Sequence, residues 1–243
     1  MRRILFEIHG IKIYSYPAML FVGLNLGIAA ENMVAKAAHL DTLRVFIATL
    51  LLLIPALVGA RLLHIATHWQ LYRHAPGRIW RQTEGGAAMY GAVPFMLIAS
   101  VPLLKAFQLS FGSFWDVATF TILIGMSFTR IGCLLNGCCE GRASNSFFTM
   151  YLPDHKGIWQ RRIPTQLLEA GWGTLLLAVV IFLWNGAPFP GAIFLYAMTG
   201  YALGRLVFEW TRQEQDTIGR LSVQHVISLV LIAIPVFLLI GLH

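Results

Sequence analysis

Seven apolar stretches of about twenty residues each constrain this chain more than any other feature. They cover roughly 16–36, 44–68, 87–104, 115–136, 164–185, 189–211 and 221–242. The hydrocarbon core of a bilayer takes about twenty apolar residues in a helix, so each stretch is a candidate span. The architecture expected is an all-α polytopic membrane protein: one domain over residues 1–243, about seven transmembrane helices, and two longer loops. Composition agrees. Only 12% of the residues are charged and 57% are hydrophobic, whereas a soluble domain carries roughly a quarter charged residues. The third stretch is short and glycine-flanked, which suggests a tilted or partly re-entrant helix. Ahead of the first, "ILFEIHGIKIYS" alternates about a His-Gly pair and predicts a small hairpin at the membrane surface. The start "MRRILFEIHG" has neither a sustained apolar stretch nor a small-residue cleavage site, so no removable signal peptide is expected.

The formal charge of +7 is large for so apolar a chain. It suits an anionic membrane surface or an anionic substrate. It does not suit nucleic acid, because the arginines are scattered among apolar runs and no basic run occurs. Charges at membrane depth are expensive and usually face a bundle interior or a wet cavity. Three arginines, Arg61, Arg130 and Arg205, fall inside three different apolar stretches. Arg61 shares a helix face with His64 and His68, and Arg130 shares one with Cys133 and Gly137. In "YALGRLVFEWTRQ", Arg205, Glu209 and Arg212 stand at i, i+4 and i+7. "RRIPTQLLEAG" puts a proline in the first turn of a helix and then Gln166 and Glu169 on one side. "EGGAAMYG" supplies Gly85 and Gly86 near a helix start, where exposed backbone amides favour anions.

Each feature also has a plainer explanation. Arg212 alone would snorkel to the interface, and Arg205 with Glu209 would make a structural ion pair. His64 and His68 have the spacing of a metal pair but no evident third ligand, which favours packing. Gly85, Gly86 and Gly91 would allow close helix contact. None of these accounts for three intramembrane arginines on three helices. One shared anionic ligand does, and a phospholipid headgroup is the anion nearest at hand.

All three cysteines of the chain lie within "FTRIGCLLNGCCEGR", just after Arg130. A zinc site would need a fourth ligand and prefers spaced pairs, which Cys133, Cys138 and Cys139 lack. A vicinal Cys138–Cys139 disulfide is geometrically awkward, while a bond from Cys133 to either neighbour stays open. So does a set of thiols lining a site or activating an acceptor. Packing at a tight helix end is the reading the sequence favours, with no metal and no dissociable cofactor.

The order "YSYPAMLFVGL", "GARLLHI", "EGGAAMYGA", "TRIGCLLNGCCEGR", "RRIPTQLLEA" and "YALGRLVFEWTRQ" resembles the prolipoprotein diacylglyceryl transferases over nearly the whole chain. That resemblance implies a bacterial inner-membrane enzyme with seven spans. It would move the diacylglyceryl part of phosphatidylglycerol onto the lipobox cysteine of a prolipoprotein and release glycerol 1-phosphate. Such transfer breaks a carbon–oxygen bond with phosphate leaving as an anion, which calls for fixed cationic donors in a dry site. On this basis Arg130 and Arg205 are the catalytic cations, Glu209 orients the arginines, and Arg212 grips the headgroup. Tyr16 matches a tyrosine of the family's site. Arg61, Gly85, Gly86, Asn136, Gly137, Cys133, Cys138, Gln166 and Glu169 fall in its substrate-binding segments.

Three positions depart from the family's pattern. Tyr90 occupies the catalytic position of a histidine in a His-Gly-Gly motif, Cys133 stands for an asparagine, and Cys138 stands for a glutamate. The cations are kept while their acid–base and polar partners have changed, which leaves open a non-lipoprotein acceptor or a non-catalytic lipid-binding or transport role. The partners expected are phosphatidylglycerol, the membrane and a prolipoprotein signal peptide. Orientation is pulled two ways. The side bearing the N-terminus holds twelve Lys and Arg against three on the other, which favours an N-terminus in the cytoplasm. The resemblance implies the reverse, with the N-terminus and the long loops outside, and is the orientation adopted.

Overall fold

The computed structural model describes residues 4–8, 10–67, 69–73, 77, 89–153, 157–213, 217–218 and 221–241. The chain divides into two compact units. One comprises Met1–Val34 with Trp115–His243, and the other Ala35–Phe114.

The smaller unit holds helix α2 (Thr42–Thr67), the single turn α3 (Trp69–Tyr72) and helix α4 (Met89–Ala106). Asp41 opens α2 by accepting the backbone N–H groups of Leu43 and Arg44 at 3.0 and 3.1 Å, an N-cap arrangement. The backbones of α2 and α4 touch where Gly59 meets Gly91, since a Cβ on either would run into the carbonyl of the other. α4, the expected short span, has 18 residues with Pro94 and Pro102 inside it.

The larger unit begins with the expected hairpin. Strand β1 (Ile4–Ile8) pairs antiparallel with β2 (Ile11–Tyr14), Phe6 opposite Ile13, and Gly10 takes the turn at φ +80°. Helix α1 (Ser15–Ala37) follows, and then α5 (Phe111–Asn136). The two meet along a seam of small residues. A Cβ on Gly23 would lie 2.6 Å from Phe128 Cβ, and one on Gly27 2.8 Å from Thr121 Cα. Gly23 and Gly27 are one helical turn apart, the Gly-x-x-x-Gly spacing that lets membrane helices approach closely.

Helices α6 (Thr165–Leu183) and α7 (Ala192–Glu209) complete the core around α5. Phe120 and Leu123 of α5 pack with Leu176 and Val180 of α6 and with Ile193 and Ala197 of α7. A buried carboxylate sets the height of α7. Asp116, on α5, accepts the backbone N–H groups of Gly191 at 2.6 Å and Phe194 at 3.0 Å. It thereby caps the positive end of α7 from a neighbouring helix. Helix α8 (Val223–Gly241) ends the unit after a two-residue pairing of β5 (Thr217–Ile218) with β6 (Leu221–Ser222).

Helices of 18 or more residues thus stand at each of the seven expected positions. Among the described residues four are long and apolar enough to cross a bilayer: Ser15–Ala37, Thr42–Ala66, Phe111–Asn136 and Thr165–Gly186. Gly91–Ala106 and Ser228–Leu239 are shorter apolar segments, while α7 carries Arg205 and Glu209. Outward faces are strongly apolar. Phe182 on α6 is 85% exposed and Phe237 on α8 75%, as lipid-facing side chains should be.

The longer loop between α5 and α6 contains a hairpin that the sequence does not announce. Strand β3 (Met150–Pro153) pairs antiparallel with β4 (Trp159–Arg162). The chain just after α5 is threaded between β4 and the end of α7. Arg142 N–H donates to Thr211 O at 2.8 Å, and Ile163 N–H donates to Arg142 O at 3.2 Å. Arg162 is fully buried and donates to the Gly141 carbonyl and to Gln213 Oε1. These bonds fasten residues 140–142 to the segment that carries Arg212.

Candidate active site

One carboxylate gathers the arginines of the larger unit. Glu169, on the second turn of α6, is 5% exposed. Its Oε2 lies 2.6 Å from Arg130 Nε on α5, and its Oε1 accepts from Arg205 on α7. Arg212, just beyond α7, approaches the same Oε1 with Nε at 4.0 Å. Arg205 also donates to Glu209 Oε2 at 3.0 Å, the pairing within one helix expected from their i, i+4 spacing. Among the described residues, three guanidinium groups thus gather about the carboxylates of Glu169 and Glu209.

Helix contacts put these groups together. Gly173, one turn after Glu169, brings α6 against α5: a Cβ there would lie 2.6 Å from both Met126 Cε and Ser127 Oγ. Gly204, next to Arg205, brings α7 against α6, because a Cβ there would collide with the Trp172 indole. Trp172 Nε1 donates to the Gly200 carbonyl at 3.0 Å and holds that register. Arg130 and Arg205 thus reach a common point from separate helices, in surroundings where a charge is retained only if it is paired.

Beside the shared carboxylate lies a narrow cleft lined by Met126, Arg130, Glu169, Trp172, Tyr201, Arg205 and Phe208. Its apolar wall and paired charges have the composition of a site for an amphiphile's polar end. The buried Tyr201 hydroxyl makes no hydrogen bond among the described residues. Sequence reasoning missed Met126, Trp172, Tyr201 and Phe208, yet a signal for them exists. Each lies three or four residues from Arg130, Glu169 or Arg205, and so on the same helix face.

The end of α5 forms the site's second half. Gly137 adopts φ +74°, and its N–H and that of Cys138 both donate to the Cys133 carbonyl at 3.0 and 3.1 Å, closing the helix with a left-handed residue. Cys139 is left-handed too, at φ +59°. Gln166 Nε2 donates to the Cys138 carbonyl at 2.8 Å, and the Cys138 thiol donates to the Cys133 carbonyl at 3.6 Å. The three thiols are free, with Sγ atoms all within 4.8 Å of one another. Beyond the helix end, Cys139 is pushed below the ordinary thiol range. Hydrogen bonds from the Cys133 and Cys138 thiols do most of this, and Arg212 and Arg130 add to it. Tyr16, in the first turn of α1, interacts electrostatically with Arg130 and the three thiols.

The sequence-derived residues therefore sort into groups. Arg130, Glu169, Arg205, Glu209 and Arg212 form one cluster, and Tyr16, Cys133, Asn136, Gly137, Cys138 and Gln166 surround the adjoining turn. The carboxylate common to the arginines is Glu169, expected as a substrate-binding residue, with Glu209 paired to Arg205. Arg212 turns inward to Glu169, its side chain only 16% exposed, so it does not snorkel. Arg61 belongs to the smaller unit, its guanidinium 5.6 Å from the Tyr72 ring centroid and His64 edge-on to the same ring. His68, Gly85 and Gly86 lie outside the described residues, as does the side chain of Tyr90, whose backbone begins α4.

The prolipoprotein diacylglyceryl transferase family model matches residues 3–241. The chain belongs to this family. Among its relatives is the phosphatidylglycerol–prolipoprotein diacylglyceryl transferase of Clostridium botulinum (strain 657), 27% identical over 98% of this chain and 97% of the relative. A second, numbered transferase 2, from Clostridium perfringens (strain 13) is 29% identical over 99% and 93%. The Trichormus variabilis transferase is 26% identical over 93% and 84%. The diacylglyceryl transferase match thus runs from the N-terminal hairpin into α8, and includes every charged residue of the cluster.

Proposed function

We propose that this protein transfers the diacylglyceryl group of phosphatidylglycerol to the lipobox cysteine of a prolipoprotein, in a bacterial inner membrane that its seven long helices cross. Family membership supports the reaction class. The observation that carries the site is the convergence of Arg130 and Arg205, from separate helices, on Glu169 beside a cleft that both arginines line.

In the reaction the acceptor sulfur, having given up its proton, attacks the glycerol carbon that bears the phosphate. A carbon–sulfur bond forms, the carbon–oxygen bond breaks, and its electron pair leaves on glycerol 1-phosphate. Negative charge grows on the leaving phosphate, where guanidinium donors in a water-poor cleft stabilise it most. Arg130 and Arg205 take that role, held by Glu169 and Glu209, while Arg212 holds the outer headgroup. Tyr201 donates its hydroxyl to a phosphate oxygen. The acyl chains lie along the apolar helix faces.

Incubation of the purified protein with labelled phosphatidylglycerol and a lipobox peptide tests this. Release of glycerol phosphate together with lipidated peptide is expected. Headgroup release without peptide lipidation would assign another acceptor, and lipid binding without turnover would assign a non-catalytic role.

A further inference from the structure

The three cysteines, which fall within a stretch of seven residues, are brought to a single point. Cys133 stands one turn before the end of α5. Left-handed backbone at Gly137 and at Cys139 folds the chain back over the helix end, so that Cys138 and Cys139 return to Cys133. Such a conformation is uncommon for a residue with a Cβ. The turn is also braced from outside, by Gln166 on the Cys138 carbonyl and by Arg142 N–H on Thr211 O. Packing at a helix end needs only small apolar side chains and gives no reason for three sulfurs to face one another.

A metal–thiolate bond of about 2.3 Å puts three sulfurs about 4.0 Å apart around one ion. The observed separations, all within 4.8 Å, are compatible with that triangle after small side-chain rotations. The spaced Cys-x-x-Cys pair that the sequence lacks is thereby replaced by a tertiary arrangement. A single disulfide, by contrast, would leave one of the three sulfurs unpaired.

We propose that Cys133, Cys138 and Cys139 form a three-thiolate site for a soft d10 cation. Thiolate sulfur selects such ions over harder ones. Three thiolates around a divalent ion carry one net negative charge. Arg130 and Arg212, both within electrostatic range of Cys139, offset it. The proposal does not depend on the transferase reading.

The full-length protein in detergent, reduced with a phosphine and freed of chelator, is titrated with Cd²⁺. The thiolate-to-cadmium charge-transfer band should grow to saturation at one equivalent, with protons released as the thiols ionise. Loss of an outer-shell partner alone weakens metal sites by about 10–100-fold, so each single Cys→Ala change should weaken binding by more than about 100-fold. The triple change should abolish the band. A wild-type band no stronger than that of the triple variant overturns the proposal. A second measurement covers variants that fail to fold. Cd²⁺ should protect all three cysteines of the wild-type protein from alkylation, counted by mass, and protection of two or fewer also overturns it.

Discussion

Arg130 Nε and Glu169 Oε2 lie 2.6 Å apart, while Arg205 occupies the other oxygen of the same carboxylate. A carboxylate held between two guanidinium groups fixes both forks and prevents either from relaxing into lipid or solvent. Helices α5, α6 and α7 are consequently joined by charge as well as by apolar contact.

Glu169→Gln should therefore damage the fold. Three guanidinium groups would then face Glu209 alone within the cluster, and breaking a buried ion network by removing one partner destabilises by about 3–5 kcal/mol. Denaturant unfolding in micelles checks this. A loss under about 1 kcal/mol would mean that Glu169 is not the shared counter-charge.

Arg205→Lys keeps the charge but loses the planar fork that spans the carboxylates of Glu169 and Glu209. Turnover of phosphatidylglycerol should fall about 10²–10³-fold, the usual effect of removing one donor to a developing oxyanion. Activity within a factor of about two of wild type, in protein verified as folded, would remove Arg205 from the reaction.

Tyr201→Phe separates binding from folding. The hydroxyl is buried without a hydrogen bond among the described residues, so its removal should leave the unfolding midpoint unchanged. A hydrogen bond to a charged group is worth about 1.5–3 kcal/mol, so KM for phosphatidylglycerol should rise about tenfold or more. An unchanged KM contradicts the assigned donor role.

Gly204→Ala tests the register of α6 on α7. Alanine ordinarily favours a helix over glycine by about 0.5–1 kcal/mol. Here the new Cβ meets the Trp172 ring, and overpacking costs about 1–3 kcal/mol. Net destabilisation with lost turnover is expected, and a more stable variant would show the contact to be looser than described.

Thiol reactivity should follow the turn after α5. Cys133 acts to lower Cys138, but the Cys139 thiol and burial together leave it above the ordinary range, and Cys139 lies below it. A lowered pKa populates the thiolate at lower pH, so alkylation of Cys139 should set in at lower pH than that of Cys138. Replacing Cys133 and Cys138 by alanine removes the main donors to the Cys139 thiolate and should move its alkylation midpoint upward. Mass mapping across a pH series would expose the opposite order.

Periodicity and spacing are local properties, and what depends on them alone was legible in the sequence. Hydropathy placed seven long helices, alternation placed the β1–β2 hairpin, and the i, i+4 rule paired Arg205 with Glu209. The sequence also isolated Arg130 and Arg205 as charges in need of a common partner. It did not name that partner, because Glu169 and Arg205 are 36 positions apart. Nor did it anticipate Asp116 capping α7 from 75 and 78 positions away, the burial of Arg162, or the meeting of three thiols. Those depend on which helices approach and at what height, and that was decided by backbone contacts at Gly23, Gly27, Gly173 and Gly204 and by a capped helix end. Charge burial demands a partner; only tertiary packing chooses which one.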